Sequence, residues 1–156
     1  MTYKCSLDYG LVGNGRISAL VSKMGSIDYL CMPAFDSPFV FDRILDDARG
    51  GYFLIEPADQ SGYVVEQCYE RNSNVLLTRY LSETASFVIH DFAPRWEIWD
   101  GTQAHTPPRL CRFIEIVHGE PEVFIHFHPR QGYVPEHSEC SILNPTTIQC
   151  VHHESH

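Results

Sequence analysis

Apolar residues alternate with polar ones in short stretches along most of the chain. In RISALVS this alternation places Ile17, Ala19 and Val21 on one face. A period of two is that of a β-strand with one buried face. Each such stretch therefore predicts a short strand. The same alternation, or a short run rich in β-branched and aromatic residues, recurs in SIDYLCM, GYFLIEP, SGYVVEQCYE, NVLLTRYLS, SFVIHDF, RLCRFIEIVHG, PEVFIHFHP and TTIQCVH.

Polar turn sequences separate these predicted strands. The turns SKMGS, PADQSG, SETAS, HGEPE and LNPTT lie between them. Short strands at regular spacing, without alternating helices, favour an antiparallel sandwich over a βα fold. A chain of 156 residues is long enough to bury its own core. We therefore expect an all-β antiparallel β-sandwich, with one domain over 1–156.

One helix interrupts the predicted strands. Ser37 is suited to cap it, and Pro38 suits the first helical position, where a missing N–H costs nothing. Phe39, Ile44 and Leu45 offer a partial apolar stripe, and the glycines of RGG at 49–51 end the helix. The sequence thus predicts a single short helix between the strands SIDYLCM and GYFLIEP.

Charge and hydropathy narrow the classes of function. The net charge is −9, from 20 acidic against 11 basic residues, and this balance offers no basic surface for nucleic acid. No apolar run reaches the length of a signal peptide or a membrane span, so we expect a cytoplasmic protein without a membrane partner. Six dispersed cysteines without a C-x-x-C pair indicate buried, reduced thiols.

Two further stretches stand out from the strand pattern. RWEIWDGTQAHTPPRL is the longest piece without periodicity and holds both tryptophans; a loop of that length is more often functional than idle. The last residues, NPTTIQCVHHESH, begin a predicted strand, but the further strands that would close the sandwich do not follow in this sequence. We expect a truncated domain.

The opening block carries a family resemblance. DYGLVGNGRISALVSKMGSIDYLCMPAFDSPFVFDRILDDARGGYFLIEP resembles the amino-terminal domain of the bacterial and archaeal glucoamylase-like and trehalase-like enzymes of glycoside hydrolase family fifteen. NVLLTRY, DFAPR and RFIEIVHGEPEVFIHFHPRQGY follow in the family's order and near its spacing. The resemblance covers roughly four-fifths of the chain, and its ungapped first block is the specific part.

The resemblance implies a fold, a partner and a reaction. The fold is a β-sandwich of super-sandwich type, followed in full-length members by an (α/α)6 barrel. Two glutamates of that barrel hydrolyse an α-glucosidic bond with inversion, one as acid and one as base for water. No residue of this chain matches them, so no catalytic residue is assigned, and no cofactor is expected. The implied partners are the helical catalytic barrel and, in the full enzyme, an α-glucoside.

Three positions depart from the family's pattern. Tyr29 stands where SIDWLC is usual, Asn14 replaces the Asp of a GDGR turn, and Ala34 replaces a basic residue before FDSP. Tyr29 can still stack on a sugar or a helix, with less area than tryptophan. The amide of Asn14 weakens an acid–base role for its turn.

Polar and aromatic residues near the turns are candidates for the barrel interface or for the substrate wall. The alternative interpretation is structural, because glycine turns and helix caps explain most of the polar ones, and exposed tryptophans often mark a partner surface. The spacing of the early aspartates selects no catalytic carboxylate pair. The candidates are Asn14, Arg16, Asp28, Tyr29, Phe35, Asp36, Trp96 and Trp99, with Tyr133 as a further ring for stacking.

Two other functions stay open at this point. One is an independent carbohydrate-binding or self-associating sandwich module, since unpaired edge strands favour a homo-oligomer. The other is a cupin-like metal site built on His126 and His128, which share one face of a strand, with His90 or Glu115 as a third ligand. The cupin pattern needs a glutamate soon after the second histidine, and none follows closely, so we assign no metal.

Overall fold

Two packed antiparallel sheets form the protein. The computed structural model describes residues 8–97, 104–131 and 138–152. The strands, in chain order, are β1 (Tyr9–Gly13), β2 (Ser18–Ser22), β3 (Ile27–Cys31), β4 (Phe39–Asp42), β5 (Tyr52–Pro57), β6 (Val64–Tyr69), β7 (Leu76–Leu81), β8 (Ser86–Phe92), β9 (Trp96–Glu97), β10 (Ala104–His105), β11 (Cys111–His118), β12 (Val123–His128), β13 (Ser138–Asn144) and β14 (Thr147–His152).

The strand order confirms the predicted all-β sandwich. The first sheet runs β1-β2-β3-β5-β12, with β4 beside β3, and the second runs β6-β7-β8-β11. The pairs β9–β10 and β13–β14 form separate two-stranded units. Every pairing is antiparallel. No helix in the described part of the chain is long and apolar enough to cross a membrane.

The core lies between the two sheets, as the alternating pattern predicts. Ile17, Ala19 and Val21 are at most 1% exposed and pack together with Leu76 of the second sheet. A second group joins the other ends of the sheets. It contains Ile55, Tyr80, Phe87 and Ile89, with the rings of Tyr80 and Phe87 stacked at 4.8 Å.

A buried ion pair links the sheets within this core. Arg112 on β11 donates from Nε to Asp91 Oδ1 at 2.7 Å and from Nη2 to Asp91 Oδ2 at 3.1 Å. Its guanidinium also donates to the backbone oxygens of Phe53 (2.8 Å) and Gly25, both from the first sheet's side. The two side chains are 3% and 0% exposed. Arg112 therefore satisfies a buried carboxylate and two carbonyls at once.

The predicted helix after Ser37 is wrong. Residues Phe39–Asp42 form strand β4, in which Phe41 lies opposite Leu30 of β3 and is 1% exposed. The chain then turns back, and Gly50 accepts a backbone hydrogen bond from Asp42 N at 2.7 Å. Strand alternation at Phe39 and Phe41 prevails over the capping signals, because only the strand places the Phe41 ring in the core.

The prediction of reduced cysteines is also wrong in part. Cys140 and Cys150 form a disulfide across the β13–β14 hairpin, where the register places them directly opposite. Cys31, Cys68 and Cys111 are free, but only Cys31 is buried. Cys5 lies outside the described residues. The hairpin pairs with no other strand of the described chain, so the disulfide links the two strands of a separate two-stranded unit.

Candidate functional site

Three chain segments meet at the β1–β2 turn, and Asn14 joins them. Its Nδ2 donates to the carbonyls of Pro94 at 3.0 Å and Pro107 at 2.8 Å, which are 80 and 93 residues away in sequence. Its Oδ1 accepts from the backbone N–H groups of Arg16 (3.0 Å) and Ile17 (3.2 Å). Asn14 is 3% exposed. Its amide thus uses both donors and its oxygen inside the protein, which fixes the shape of this end of the sandwich.

Arg16 connects the same turn to the segment between β3 and β4. The exposed guanidinium donates from Nε to the backbone oxygen of Pro33 at 3.1 Å, just after a cis Met32–Pro33 bond. Ser37 holds the following corner, because its Oγ accepts from Ala34 N at 3.1 Å. The Phe35 ring, 55% exposed, projects from this corner beside the exposed Asp36.

Trp96 lies in the third segment that meets the turn. It is 50% exposed, and its ring contacts that of His105 at 4.5 Å across the β9–β10 pair. Arg95, the residue before it, donates to the Asn14 carbonyl at 3.3 Å. Trp99 and Tyr133 lie outside the described residues. The exposed ring of Trp96 is therefore carried on a short pair of strands that is anchored to the β1–β2 turn.

We call this region the turn end and define it by Asn14, Arg16, Phe35, Asp36 and Trp96. Two of its side chains are exposed aromatic rings, and two are exposed side chains of opposite charge. Exposed apolar rings with a polar surround are typical of a surface that contacts a partner or a sugar. Sequence reasoning missed Arg95 and His105, which support the turn end, although the stretch RWEIWDGTQAHTPPRL, singled out as the longest without periodicity, contains both.

Asp28 and Tyr29 lie at a β-bulge of β3. Leu20 pairs with Tyr29, and Val21 pairs with Ile27, so Asp28 is an extra residue on β3. Asp28 is 4% exposed and accepts hydrogen bonds from Ser26 Oγ at 2.5 Å and from the Tyr9 hydroxyl at 3.0 Å.

Two further contacts describe the surroundings of this bulge. Arg43 Nη1 lies 4.0 Å from Asp28 Oδ1, so the carboxylate faces a cation as well as two hydroxyls. The Cys31 thiol lies 3.3 Å from the Tyr29 hydroxyl, and this contact, followed by burial, raises the pKa of Tyr29. Tyr29 therefore stays a neutral hydroxyl at pH 7, and Asp28 is held by hydrogen bonds within the protein.

The histidines considered for a metal do not converge with their proposed third ligands. The rings of His126 and His128 stack 6.3 Å apart on β12, and His126 Nε2 lies 3.1 Å from Glu56 Oε1. His90 and Glu115 contact each other at 2.8 Å on the second sheet. Across residues 8–97, 104–131 and 138–152, no group of three or more His, Cys, Asp or Glu side chains is placed to hold a metal ion.

Comparison with known proteins identifies relatives of this sandwich. The model of the family "Trehalase-like, N-terminal" matches residues 8–143. A trehalase of Thermoplasma volcanium is 36% identical over 126 residues, covering 80% of this chain and 20% of that protein. A trehalase of Thermoplasma acidophilum is 36% identical, with coverage of 75% and 20%, and one of Mycolicibacterium smegmatis is 30% identical, with coverage of 81% and 20%.

The matches to these trehalases cover similar shares of this chain and of each relative. The chain spans about a fifth of the length of the curated relatives that it matches, and no solved structure matches it. The family model covers most of the described sandwich, including the turn end and the buried Asp91–Arg112 pair. The chain therefore belongs to the trehalase-like amino-terminal domain family.

Proposed function

We propose that this chain is the non-catalytic amino-terminal domain of an inverting α-glucoside hydrolase, similar to the trehalases and glucoamylases of glycoside hydrolase family fifteen. Its role is to brace an (α/α)6 catalytic barrel through the turn end and to form one wall of the sugar pocket. The single observation that carries the proposal is the family match over residues 8–143, together with relatives named trehalase of which the matched region is about a fifth.

The described carboxylates support a bracing role better than a catalytic one. Inversion needs a protonated and an ionised carboxyl about 6.5–9.5 Å apart with room for a water molecule. Asp28 is held by two hydroxyls, and Asp91 by a bidentate arginine, both under 5% exposed. Both carboxylates are engaged by hydrogen bonds within the protein, so we place the catalytic pair in the barrel.

The turn end supports the proposed contact with the barrel. The side chains of Phe35 and Trp96 are 55% and 50% exposed, and the hydrogen bonds of Asn14 and Arg16 fix the segments that carry them. A rigid base with protruding rings suits a stable interface, since little conformational entropy is lost when the rings are buried.

A fusion protein tests this function. The first fifth of the Thermoplasma volcanium trehalase is replaced by this chain, and trehalose hydrolysis and thermal unfolding are measured. We expect an active fusion, whereas the relative without its first fifth is inactive. Trp96→Ala is expected to lower the unfolding temperature of the fusion if the ring braces the barrel, and to raise KM if it contacts sugar. Val64→Ala, at an exposed site on β6, is the matched control.

A second candidate function is an independent carbohydrate-binding module. The exposed rings of Phe35 and Trp96 favour it, because apolar faces of pyranoses stack on aromatic rings. Isothermal titration of the isolated chain with trehalose and maltooligosaccharides distinguishes the two functions. Binding that is lost in Trp96→Ala supports the module, and absence of heat supports the bracing domain.

A further inference from the structure

The turn between β1 and β2 contains a chemically labile pair, Asn14 followed by Gly15. An asparagine side chain is lost when the backbone nitrogen of the next residue attacks its Cγ atom. Glycine permits this attack best, because it has no Cβ to hinder the approach and its backbone rotates freely. The other asparagines, Asn72, Asn74 and Asn144, precede serine, valine and proline. The sequence therefore places the most labile asparagine of this chain in the turn end.

The fold requires both residues of this pair. Gly15 has a φ of +89°, which side chains rarely permit, and a Cβ there would lie 3.2 Å from Arg95 Nη1. At the preceding position the carbonyls of Pro94 and Pro107 accept at 3.0 and 2.8 Å, while two backbone N–H groups donate. A side-chain amide meets both needs, whereas an ionised aspartate only accepts. The labile pair thus has a structural reason.

The folded turn holds the Asn14 amide at both ends. The leaving group of the reaction, Nδ2, donates to two carbonyls, and Oδ1 accepts from the N–H groups of Arg16 and Ile17. Cγ has to approach Gly15 N to bonding distance, and these contacts oppose that movement. The side chain is 3% exposed, which also restricts the access of water. The reaction should therefore need local opening of the turn.

We propose that Asn14 is a site of spontaneous deamidation that folding suppresses, so that the reaction takes place in chains whose β1–β2 turn is open. Gly15 N forms a bond to Asn14 Cγ, the Cγ–Nδ2 bond breaks, and ammonia leaves with the proton of the backbone amide. Water then opens the cyclic succinimide at one of its two carbonyls. The product is either aspartate or isoaspartate, in which the main chain runs through the former side chain.

The two products affect the turn differently. Aspartate retains the acceptor for Arg16 N and Ile17 N, but in its ionised form it donates nothing to the carbonyls of Pro94 and Pro107. It should keep the turn and loosen those two segments. Isoaspartate adds an atom to the main chain and should disrupt the turn itself. Deamidation of an open chain is therefore an irreversible loss of the anchor.

Peptide mapping of the whole chain by mass spectrometry tests the proposal, and it does so independently of the proposed hydrolase function. Folded protein and protein in urea are incubated at neutral pH in water enriched in heavy oxygen, which labels residues that deamidate during the incubation. We expect Asn14 to gain label at least about tenfold more slowly in the folded chain, a factor that corresponds to an opening free energy of about 1.4 kcal/mol. Isoaspartate in the urea sample identifies the succinimide route.

Asn72 is the matched control within the same molecule. It lies in the exposed turn between β6 and β7 and precedes Ser73. The ratio of its rates in urea and in the folded chain should be much smaller than the ratio at Asn14. Gly15→Ala provides a second control in urea, where the fold has no influence. It should slow the reaction at Asn14, because the added Cβ hinders ring closure.

Two results would overturn the proposal: equal rates at Asn14 in the folded and urea samples, or no deamidation of Asn14 in urea. The consequence of the reaction is tested separately with Asn14→Asp, which carries the aspartyl product in every molecule. We expect this variant to fold, with faster hydrogen exchange at 93–97 and 104–110 than in the wild type. An unchanged exchange pattern would contradict the loss of the anchor.

Discussion

Removal of the Arg112 side chain is the strongest single perturbation that the structure predicts for the fold. The guanidinium makes two hydrogen bonds to Asp91 and one each to the backbone oxygens of Phe53 and Gly25. Arg112→Met keeps much of the volume but leaves a carboxylate that is 0% exposed without its cation. Breaking a buried pair from one side costs about 3–5 kcal/mol, because the remaining charge stays desolvated.

This loss is a large share of the stability of such a domain, which is about 5–15 kcal/mol. For a chain of this size about 2–4 °C is lost per kcal/mol, so the unfolding temperature should fall by about 6–20 °C. Urea unfolding followed by circular dichroism gives the free energy, and thermal unfolding gives the shift. The double variant with Asp91→Leu should be more stable than Arg112→Met alone, since it removes the unpaired charge as well.

The pH dependence of the same variant gives an independent check. Burial raises the pKa of Asp91, and Arg112 acts in the opposite direction. Without Arg112 this pKa rises further, so the folded state binds a proton more tightly than the unfolded state. The loss of unfolding free energy in Arg112→Met, relative to the wild type, should therefore become smaller as the pH falls toward the ordinary aspartate pKa of about 3.9. A loss of stability below about 1 kcal/mol at pH 7, or a loss that does not change with pH, would show that Arg112 does not compensate a buried charge on Asp91.

Three further changes probe the turn end, the core and the hairpin. Asn14→Ala leaves the carbonyls of Pro94 and Pro107 without their donor and should cost about 1–3 kcal/mol in urea unfolding; a neutral result would contradict the anchoring role. Burial raises the pKa of Tyr80 to about 12, so stability should fall from about pH 10 to 12 as the unfolded tyrosine ionises, and Tyr80→Phe should flatten this slope. Cys140→Ser should speed hydrogen exchange at 138–152 and leave the unfolding midpoint of the sandwich unchanged; a lower midpoint would show that the hairpin supports the core.

The strands and their buried faces could be predicted from the sequence, because alternation directly reports which side of a strand is apolar. Ile17, Ala19 and Val21 follow this rule and lie in the core. The segment after Ser37 shows the limit of local signals. Ser-Pro suits both a helix start and a turn before a strand, and the pairing of Phe41 with Leu30 decides between them. That pairing is a tertiary contact, which capping rules do not contain.

The buried ion pair was predictable in part. Asp91 shares its strand face with the core residues Phe87 and Ile89, and Arg112 shares its face with Ile114, so each is a charged residue at a core position. Two such residues of opposite sign on different strands indicate a buried pair. Their direct opposition, however, depends on the β8–β11 register across 21 residues, which no local pattern fixes.

The residues of the turn end could be predicted from the sequence, but the hydrogen bonds that hold them together could not. The glycines around Asn14 predict a turn, and the structure has one. The hydrogen bonds that make the turn an anchor reach 80 and 93 residues along the chain, to Pro94 and Pro107. The disulfide was only partly within reach of the sequence: Cys140 and Cys150 flank the NPTT turn, but their direct opposition depends on the register shift between Ile142 and Asn144. The burial of Asp28 could not be predicted from the sequence, because Asp28 lies at a β-bulge that the alternating pattern does not show.

Glucose release from trehalose tests whether this chain braces a separate catalytic barrel, with three proteins compared: this chain alone, the Thermoplasma volcanium trehalase without its first fifth, and the fusion of the two. We expect no glucose from either part alone and clear release by the fusion. Release by the isolated chain would contradict the assignment of catalysis to the barrel. Full activity of the truncated relative would contradict the bracing role.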